Sequence, residues 1–503
     1  MSLWVLVPLV SVGGVLALVA LYDITQRRHT ILRNFPVIGH LRFMMEKIGP
    51  EMRQYVVASN REERPFNRDQ RRWIYSSAKN QNTYFGFGTE QVVSETGHIT
   101  IRHSPFPLGL PVPEGAPIPG GKIMGECHGR AHKFRPASVV NISAMSFGSL
   151  SWSAIEALNA GAALADCMHN TGEGGISECH RKGGNLVYQV GTGYFGCRDA
   201  DGRFSMDALV ETVSSAQVQA IEIKLSQGAK PGVGGLLPGA KVTPTIAAAR
   251  GVPVGVDVAS PSRHTAFSSV AELVDFVERV AEAVGGIPVG VKSAVGQPQF
   301  WTDLAQHMAA TGTGPDFVTV DGSEGGTGAG PLVFTDHVAL PFWQAFAVVH
   351  AAFSEAGLHE KVVFIGSGKL GFPAPAALAL NLGVDLVNVA REPMMAIGCI
   401  QAQRCHTGKC PTGVATQGAW LSRGLDPTLK SVRLAGYIVS LRKDLLRLAD
   451  ACGVEHPGLI GADNIAVVDN QGALVPAYEF YGIDPGCTHS AGRVDALRAC
   501  MAV

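Results

Sequence analysis

Three cysteines, Cys399, Cys405 and Cys410, stand in the run GCIQAQRCHTGKCPTGVATQ at a spacing of C-x5-C-x4-C, and a proline follows the last. Thiolates gathered this tightly in one loop are the ligand set of an iron–sulfur cluster, and a Cys-Pro ending also closes ferredoxin cluster loops. Zinc with His406 as fourth ligand is the weaker alternative, because cysteine and histidine adjacent in sequence rarely ligate one ion. A disulfide would need an oxidising compartment and would leave one thiol over. The run reads as a place where electrons pass.

A second group of candidate residues is charged and lies among glycines. The loop from Lys224 to Gly232, KLSQGAKPG, carries Lys224 and Lys230 in a constrained setting that suits an anionic substrate. Arg250 ends the stretch TIAAAR and has the fork geometry to clamp a carboxylate, although a helix-terminal arginine more often only complements the helix dipole. Lys292 ends the apolar run IPVGVKSA, where a cation suits a ring that gains negative charge on reduction. Its bland alternative is an ion pair with Glu324 or Asp257. The loop from Asp321 to Gly328, DGSEGGTG, offers successive backbone N–H groups with little side-chain obstruction.

These groups need a scaffold, and the chain supplies one from Ser138 onward. Short β-branched runs alternate there with alanine- and leucine-rich stretches, the pattern of repeated βα units. Eight runs are counted: VVNISAMS, ADCMHNTGEGG, AIEIKLSQG, VPVGVDVAS, IPVGVKSA, DFVTVDGSEGG, KVVFIGSG and DLVNVARE. The fold class is therefore α/β, a TIM (β/α)8 barrel with the cysteine loop after its eighth strand. Active sites of such barrels lie at the strands' C-terminal ends. Ser146, Glu173, Lys230, His264, Lys292, Glu324 and the Gly366-Ser367-Gly368 turn all fall there, and the last two strand ends are the usual phosphate site. A doubly wound open sheet is the runner-up, but no GxGxxG opens a first βα turn.

With 503 residues and a net charge of -1, the chain has room for a large core and no electrostatic bias toward nucleic acid. The one basic tract, REERPFNRDQRR, is mixed in sign and reads as solvated surface. Leu3 to Tyr22 is uncharged. At about 1.5 Å per residue it is long enough to cross a hydrocarbon core of about 30 Å, which predicts a single N-terminal transmembrane helix. A cleaved signal peptide is the alternative, but nothing positive precedes Leu3. Arg27, Arg28 and Arg33 follow at once, which places the catalytic part in the cytoplasm, anchored to the cell membrane. The remaining seven cysteines are scattered, as expected in a reducing compartment. The expected layout is a membrane helix over residues 1–25, a connecting region over 26–137, the barrel with its cluster loop over 138–417 and an extension over 418–503.

HNTGEGG, KLSQGAKPG, DGSEGGTGAGP and the cysteine run, in this order, resemble the FMN- and iron–sulfur-containing synthase domain of glutamate synthases. The resemblance covers about Ser138 to Gln417 and is strongest to the short, stand-alone FMN-binding glutamate synthase family. It implies a [3Fe-4S] cluster on Cys399, Cys405 and Cys410. It implies FMN at the barrel mouth, near Ala144, Met145, Ser146, Lys224, Lys292, Glu324, Gly325, Gly326, Gly366, Ser367, Gly368 and Arg391. It further implies 2-oxoglutarate on Lys230 and Arg250, with Glu173 linking substrate and flavin and with Glu173, Lys230 and Lys292 as the catalytic set. The expected reaction is reduction of 2-iminoglutarate, formed from 2-oxoglutarate and ammonia, to L-glutamate. Electrons would come from ferredoxin or another one-electron donor, since no NAD(P)H-binding fingerprint is visible. Full glutamate synthases begin with a glutaminase whose first residue is cysteine; this chain begins Met1-Ser2, so free ammonia or a separate glutaminase partner is expected. Leu236 and Glu324 depart from the large enzymes' glutamine and aspartate. An N-alkylglutamate synthase using an amine, or a non-catalytic membrane redox relay, therefore stands as an alternative. A homo-oligomer is compatible with all of these.

Overall fold

A computed structural model describes residues 3–81, 83–84, 86–113 and 115–502. The chain divides into two compact units, Met1–Arg72 and Trp73–Val503. In the first, helix α1 spans Leu3–Thr25, α2 spans Thr30–Asn34 and α3 spans Gly39–Met52. Within α1, Leu6–Thr25 is long and apolar enough to cross a bilayer, by length and composition. Met1 and Ser2 of the expected span lie outside the described residues. In the tract REERPFNRDQRR, expected to be solvated, Phe66 and Arg71 are buried, and Arg71 is paired with Glu63.

The second unit is built on a closed barrel of eight parallel strands, each paired with its sequence neighbour around the ring. They are β1 (Val140–Ile142), β2 (His169–Asn170), β3 (Leu186–Val190), β4 (Val218–Lys224), β5 (Val289–Ser293), β6 (Phe317–Asp321), β7 (Val363–Ser367) and β8 (Leu386–Val389). Seven of the eight expected runs supply a barrel strand. The exception is VPVGVDVAS: only Val258 and Ala259 are extended, and they pair with Leu236 and Leu237 in a hairpin outside the barrel. The strand it displaced is LVYQV, β3, buried at all five positions. The hairpin and the helix Pro244–Arg250 belong to one long excursion between β4 and β5. Thr243 caps that helix by accepting the Ile246 N–H, and Gly251 ends it at a φ of +64°.

Outside the ring, the helix Trp152–Ala165 packs against the long helix Pro427–Ala451. Gly161 allows the close approach, because a Cβ there would sit 2.7 Å from both Leu434 Cδ2 and Ser431 O. The expected extension is thus part of the barrel's outer wall. It also adds strands Ile465–Val468 and Leu474–Pro476, which form an antiparallel sheet with Ile99–Ile101.

Candidate active site at the barrel mouth

The floor of the mouth is a satisfied polar layer inside the ring. Glu222 of β4 is buried and accepts from Asn170 Nδ2 at 2.8 Å, Gln189 Nε2 at 2.6 Å and Thr319 Oγ1 at 2.7 Å. Two residues further along β4, Lys224 lies in register with Lys292 of β5. Lys292 Nζ is 3.4 Å from Asp321 Oδ2. Its partner is therefore Asp321 and not Glu324 or Asp257: Glu324 accepts the Phe342 N–H and Asp257 the Gly239 N–H. Burial opposes the Lys292 charge, but Asp321, Glu222 and Glu173 together hold its pKa above the ordinary lysine value.

Beside this pair lies a small cavity lined by Glu173, Lys224, Gln227, Lys230, Gly235 and Ser260, among others. Lys224 Nζ donates to Glu173 Oε1 at 2.8 Å and to Gln227 Oε1 at 2.6 Å. Burial alone would raise the Glu173 carboxyl, but Lys224, Lys230 and Arg250 hold it below the usual carboxylate range. Lys230 is pushed down, first by burial and then by Lys224, with Glu173 opposing. Arg250 is buried at the end of its helix. Its Nη2 donates to Phe147 O at 3.0 Å, its guanidinium lies 4.9 Å from the Phe195 ring centre, and its Nε has no partner. Three cations around one carboxylate leave the cavity with surplus positive charge, which suits an anion.

The remaining expected residues also gather at the C-terminal end of the barrel. Ala144, Met145 and Ser146 follow β1, and the loop after β2 is pressed against them: a Cβ on Gly172 would lie 2.6 Å from Ser146 N. Glu324, Gly325 and Gly326 follow β6, and Arg391 donates to Glu324 O from beyond β8. A Cβ on Gly326 would lie 2.7 Å from Arg391 Cδ, and one on Gly368 2.5 Å from Phe342 Cβ. The loops after β6, β7 and β8 thus close on one another through bare backbone, with the half-buried Arg391 among them.

The cysteine loop abuts the same loops. A Cβ on Gly328 would lie 3.3 Å from Cys405 Cβ. Cys399 Sγ accepts the Gln401 N–H at 3.4 Å, and Tyr75 Oη donates to Cys399 O at 2.8 Å. Cys405 is pushed up by burial and by Cys410. At Cys410 burial acts upward too, but the Thr412 hydroxyl and backbone N–H groups of the following turn outweigh it and favour the thiolate. Cys405 and Cys410 are within electrostatic reach of each other, and backbone N–H groups meet sulfur at Cys399 and Cys410, a setting that suits thiolate ligands.

Some of the machinery carried no sequence signal. Phe147 and Phe195 frame Arg250, and Gln417 Nε2 fixes the Phe147 loop by donating to Gly148 O at 3.0 Å and Leu150 O at 2.9 Å. His264, expected among the mouth residues, is instead a support. It is buried, its pKa pushed down to about 4 by burial, and its ring contacts the Lys224 carbonyl at 2.9 Å and Tyr194 Oη at 3.1 Å.

The family model described as "Conserved region in glutamate synthase" matches residues 125–455. The glutamate synthase large subunit-like protein YerD of Bacillus subtilis is 37% identical over 489 residues, covering 90% of this chain and 92% of that protein. A protein from Rhizobium meliloti, named glutamate synthase large subunit-like, is 32% identical over 354 residues, covering 67% and 76%. An archaeal glutamate synthase [NADPH] of Methanocaldococcus jannaschii is 36% identical over 321 residues, which span 63% of this chain and 59% of that enzyme.

Proposed function

The chain belongs to the glutamate synthase family, and from that premise we propose that it is an FMN and iron–sulfur oxidoreductase forming L-glutamate from 2-oxoglutarate and ammonia. The observation that carries this reading is the cavity in which Glu173, Lys224 and Lys230 meet beside the Lys292–Asp321 pair, with Arg250 within electrostatic reach. When bound, FMN and a [3Fe-4S] cluster supply hydride chemistry and one-electron relay.

The residues of the chain do the rest. Lys230 and Arg250 hold the two carboxylates of the keto acid, and the planar guanidinium with its uncommitted Nε fixes orientation. Glu173 accepts a hydrogen bond from Lys224 Nζ and offsets the repulsion among the cations. Lys292 presents a cation for charge that develops on the flavin ring. Arg391 and the bare backbone of Gly325, Gly326, Gly366 and Gly368, with Ser367, suit the flavin phosphate. Cys399, Cys405 and Cys410 hold the cluster. Helix α1 anchors the protein in the cell membrane, with Arg27, Arg28 and Arg33 on the cytoplasmic side. The electron donor is a one-electron carrier such as ferredoxin.

The test is turnover by purified, cofactor-loaded protein. With reduced ferredoxin, 2-oxoglutarate and ammonia, glutamate should accumulate; its absence would overturn the reading. Methylamine in place of ammonia checks the N-alkyl variant, and NADPH in place of ferredoxin checks the donor.

A further inference from the structure

Helix α3 carries a stripe that its own unit leaves bare. Leu41, Met45, Ile48 and Met52 recur at i, i+4, i+7 and i+11, flanked by Met44 and Tyr55, and each of the six is between 41% and 56% exposed. At 100° per residue they share one face, while Arg42, Glu46, Lys47 and Arg53 take the others. The opposite side is the packed one: Phe43 lies edge-on to His29 at 5.4 Å, and Gly39 brings α3 against Leu32 of α2, where a Cβ would be 3.0 Å from Leu32 Cδ2. A contiguous apolar patch of this kind marks an interaction surface.

The occupant follows from what surrounds the stripe. Asp23, at the end of α1, is fully buried and accepts the Val37 N–H at 2.9 Å and His40 Nε2 at 3.0 Å. This tie places the first turn of α3 against the end of α1. From Gln26 to Arg53 the chain has six lysines and arginines against two glutamates. A helix with one apolar face, tied back to the end of an apolar span through Asp23 and set in a cationic segment, matches the boundary of an anionic bilayer. We propose that α3 lies in the plane of the membrane, its Leu41–Met45–Ile48–Met52 face inserted among anionic lipids. The anchor is then a span plus an interfacial helix. This rests on α1 spanning the bilayer.

The test uses the full chain in vesicles of phosphatidylglycerol and phosphatidylcholine, with p-benzoyl-phenylalanine placed singly at Leu41, Met45, Ile48 or Met52, and at Arg42, Glu46 or Arg53. Lipid adducts read by mass spectrometry should be several-fold more abundant at the first four positions than at the last three, and should fall when phosphatidylglycerol is omitted. Adducts to residues 73–503 or to a second copy, or equal lipid labelling at all positions, would overturn the proposal. Extraction with alkaline carbonate separates the two readings. Protein released by carbonate refutes the span, whereas protein that resists carbonate without stripe-specific lipid adducts refutes only the interfacial helix.

Discussion

Lys224 Nζ lies 2.8 Å from Glu173 Oε1, across the mouth of the barrel between the loop after β2 and the end of β4. Both partners also act on the charge of a third residue, Lys230, whose burial is the larger influence. Lys230 is pushed down by burial and by Lys224 and is held up by Glu173. Its ammonium therefore loses its proton below the ordinary lysine value of about 10.4.

A pH profile follows. An anionic substrate binds while Lys230 is protonated, so KM for 2-oxoglutarate should rise as pH climbs through the lowered Lys230 pKa. Glu173→Gln removes the charge that raises that pKa, and the rise in KM should begin at lower pH than in the unaltered protein. An alkaline limb that stays in place would refute the coupling.

Arg250→Lys separates charge from fork. Lysine keeps the cation but cannot reproduce both the bond to Phe147 O at 3.0 Å and the stacking on Phe195 while also reaching a carboxylate. Loss of one charge-assisted hydrogen bond costs about 1.5–3 kcal/mol. KM for the keto acid should therefore increase about 10- to 150-fold, with a smaller change in kcat. Unchanged KM would remove Arg250 from the substrate site.

Cys405→Ser takes one thiolate from the loop that touches Gly328. The visible absorption and iron content of the cluster should be lost and donor-driven reduction of the protein should stop, while flavin content stays near that of the unaltered protein. One zinc and no iron in the purified unaltered protein would overturn the cluster assignment.

How far the sequence could be read depended on how local each signal was. The cysteine run stood out because its three thiols lie within a dozen residues of one another. β3 did not, because two of its five buried residues are Tyr188 and Gln189, whose polar ends find partners, Phe195 O and Glu222 among them, that no local pattern announces. VPVGVDVAS imitated a strand because its alternating valines match the period of one, yet Val254 and Val256 are exposed in a loop. Lys292 showed itself as a cation needing a partner, but the carboxylate that answers it, Asp321, comes from the end of the neighbouring strand β6, a pairing that only the closed barrel sets. Arg250 was legible as a charge, and its surroundings, the Phe147 carbonyl and the Phe195 ring, were not, since three separate segments bring them together.

Gly228→Ala should damage the site while leaving the barrel standing. Gly228 N donates to Asp321 Oδ2 at 3.0 Å, and Asp321 in turn pairs with Lys292. A Cβ on Gly228 would lie 1.8 Å from Gly322 O. Both groups are backbone, so the clash cannot be relieved by turning a side chain, and the loops after β4 and β6 must part. That separation breaks the Gly228–Asp321 bond and draws Asp321 from Lys292, leaving a buried cation without its partner, a loss of about 3–5 kcal/mol if complete. The expected outcome is unaltered far-ultraviolet circular dichroism, a lowered Tm and flavin that dissociates during gel filtration. Gly424→Ala is the control, because the nearest atom to its Cβ would be Leu421 O at an ordinary 3.5 Å. If Gly228→Ala kept both its flavin and its Tm, the close contact between these two loops would have no part in shaping the mouth.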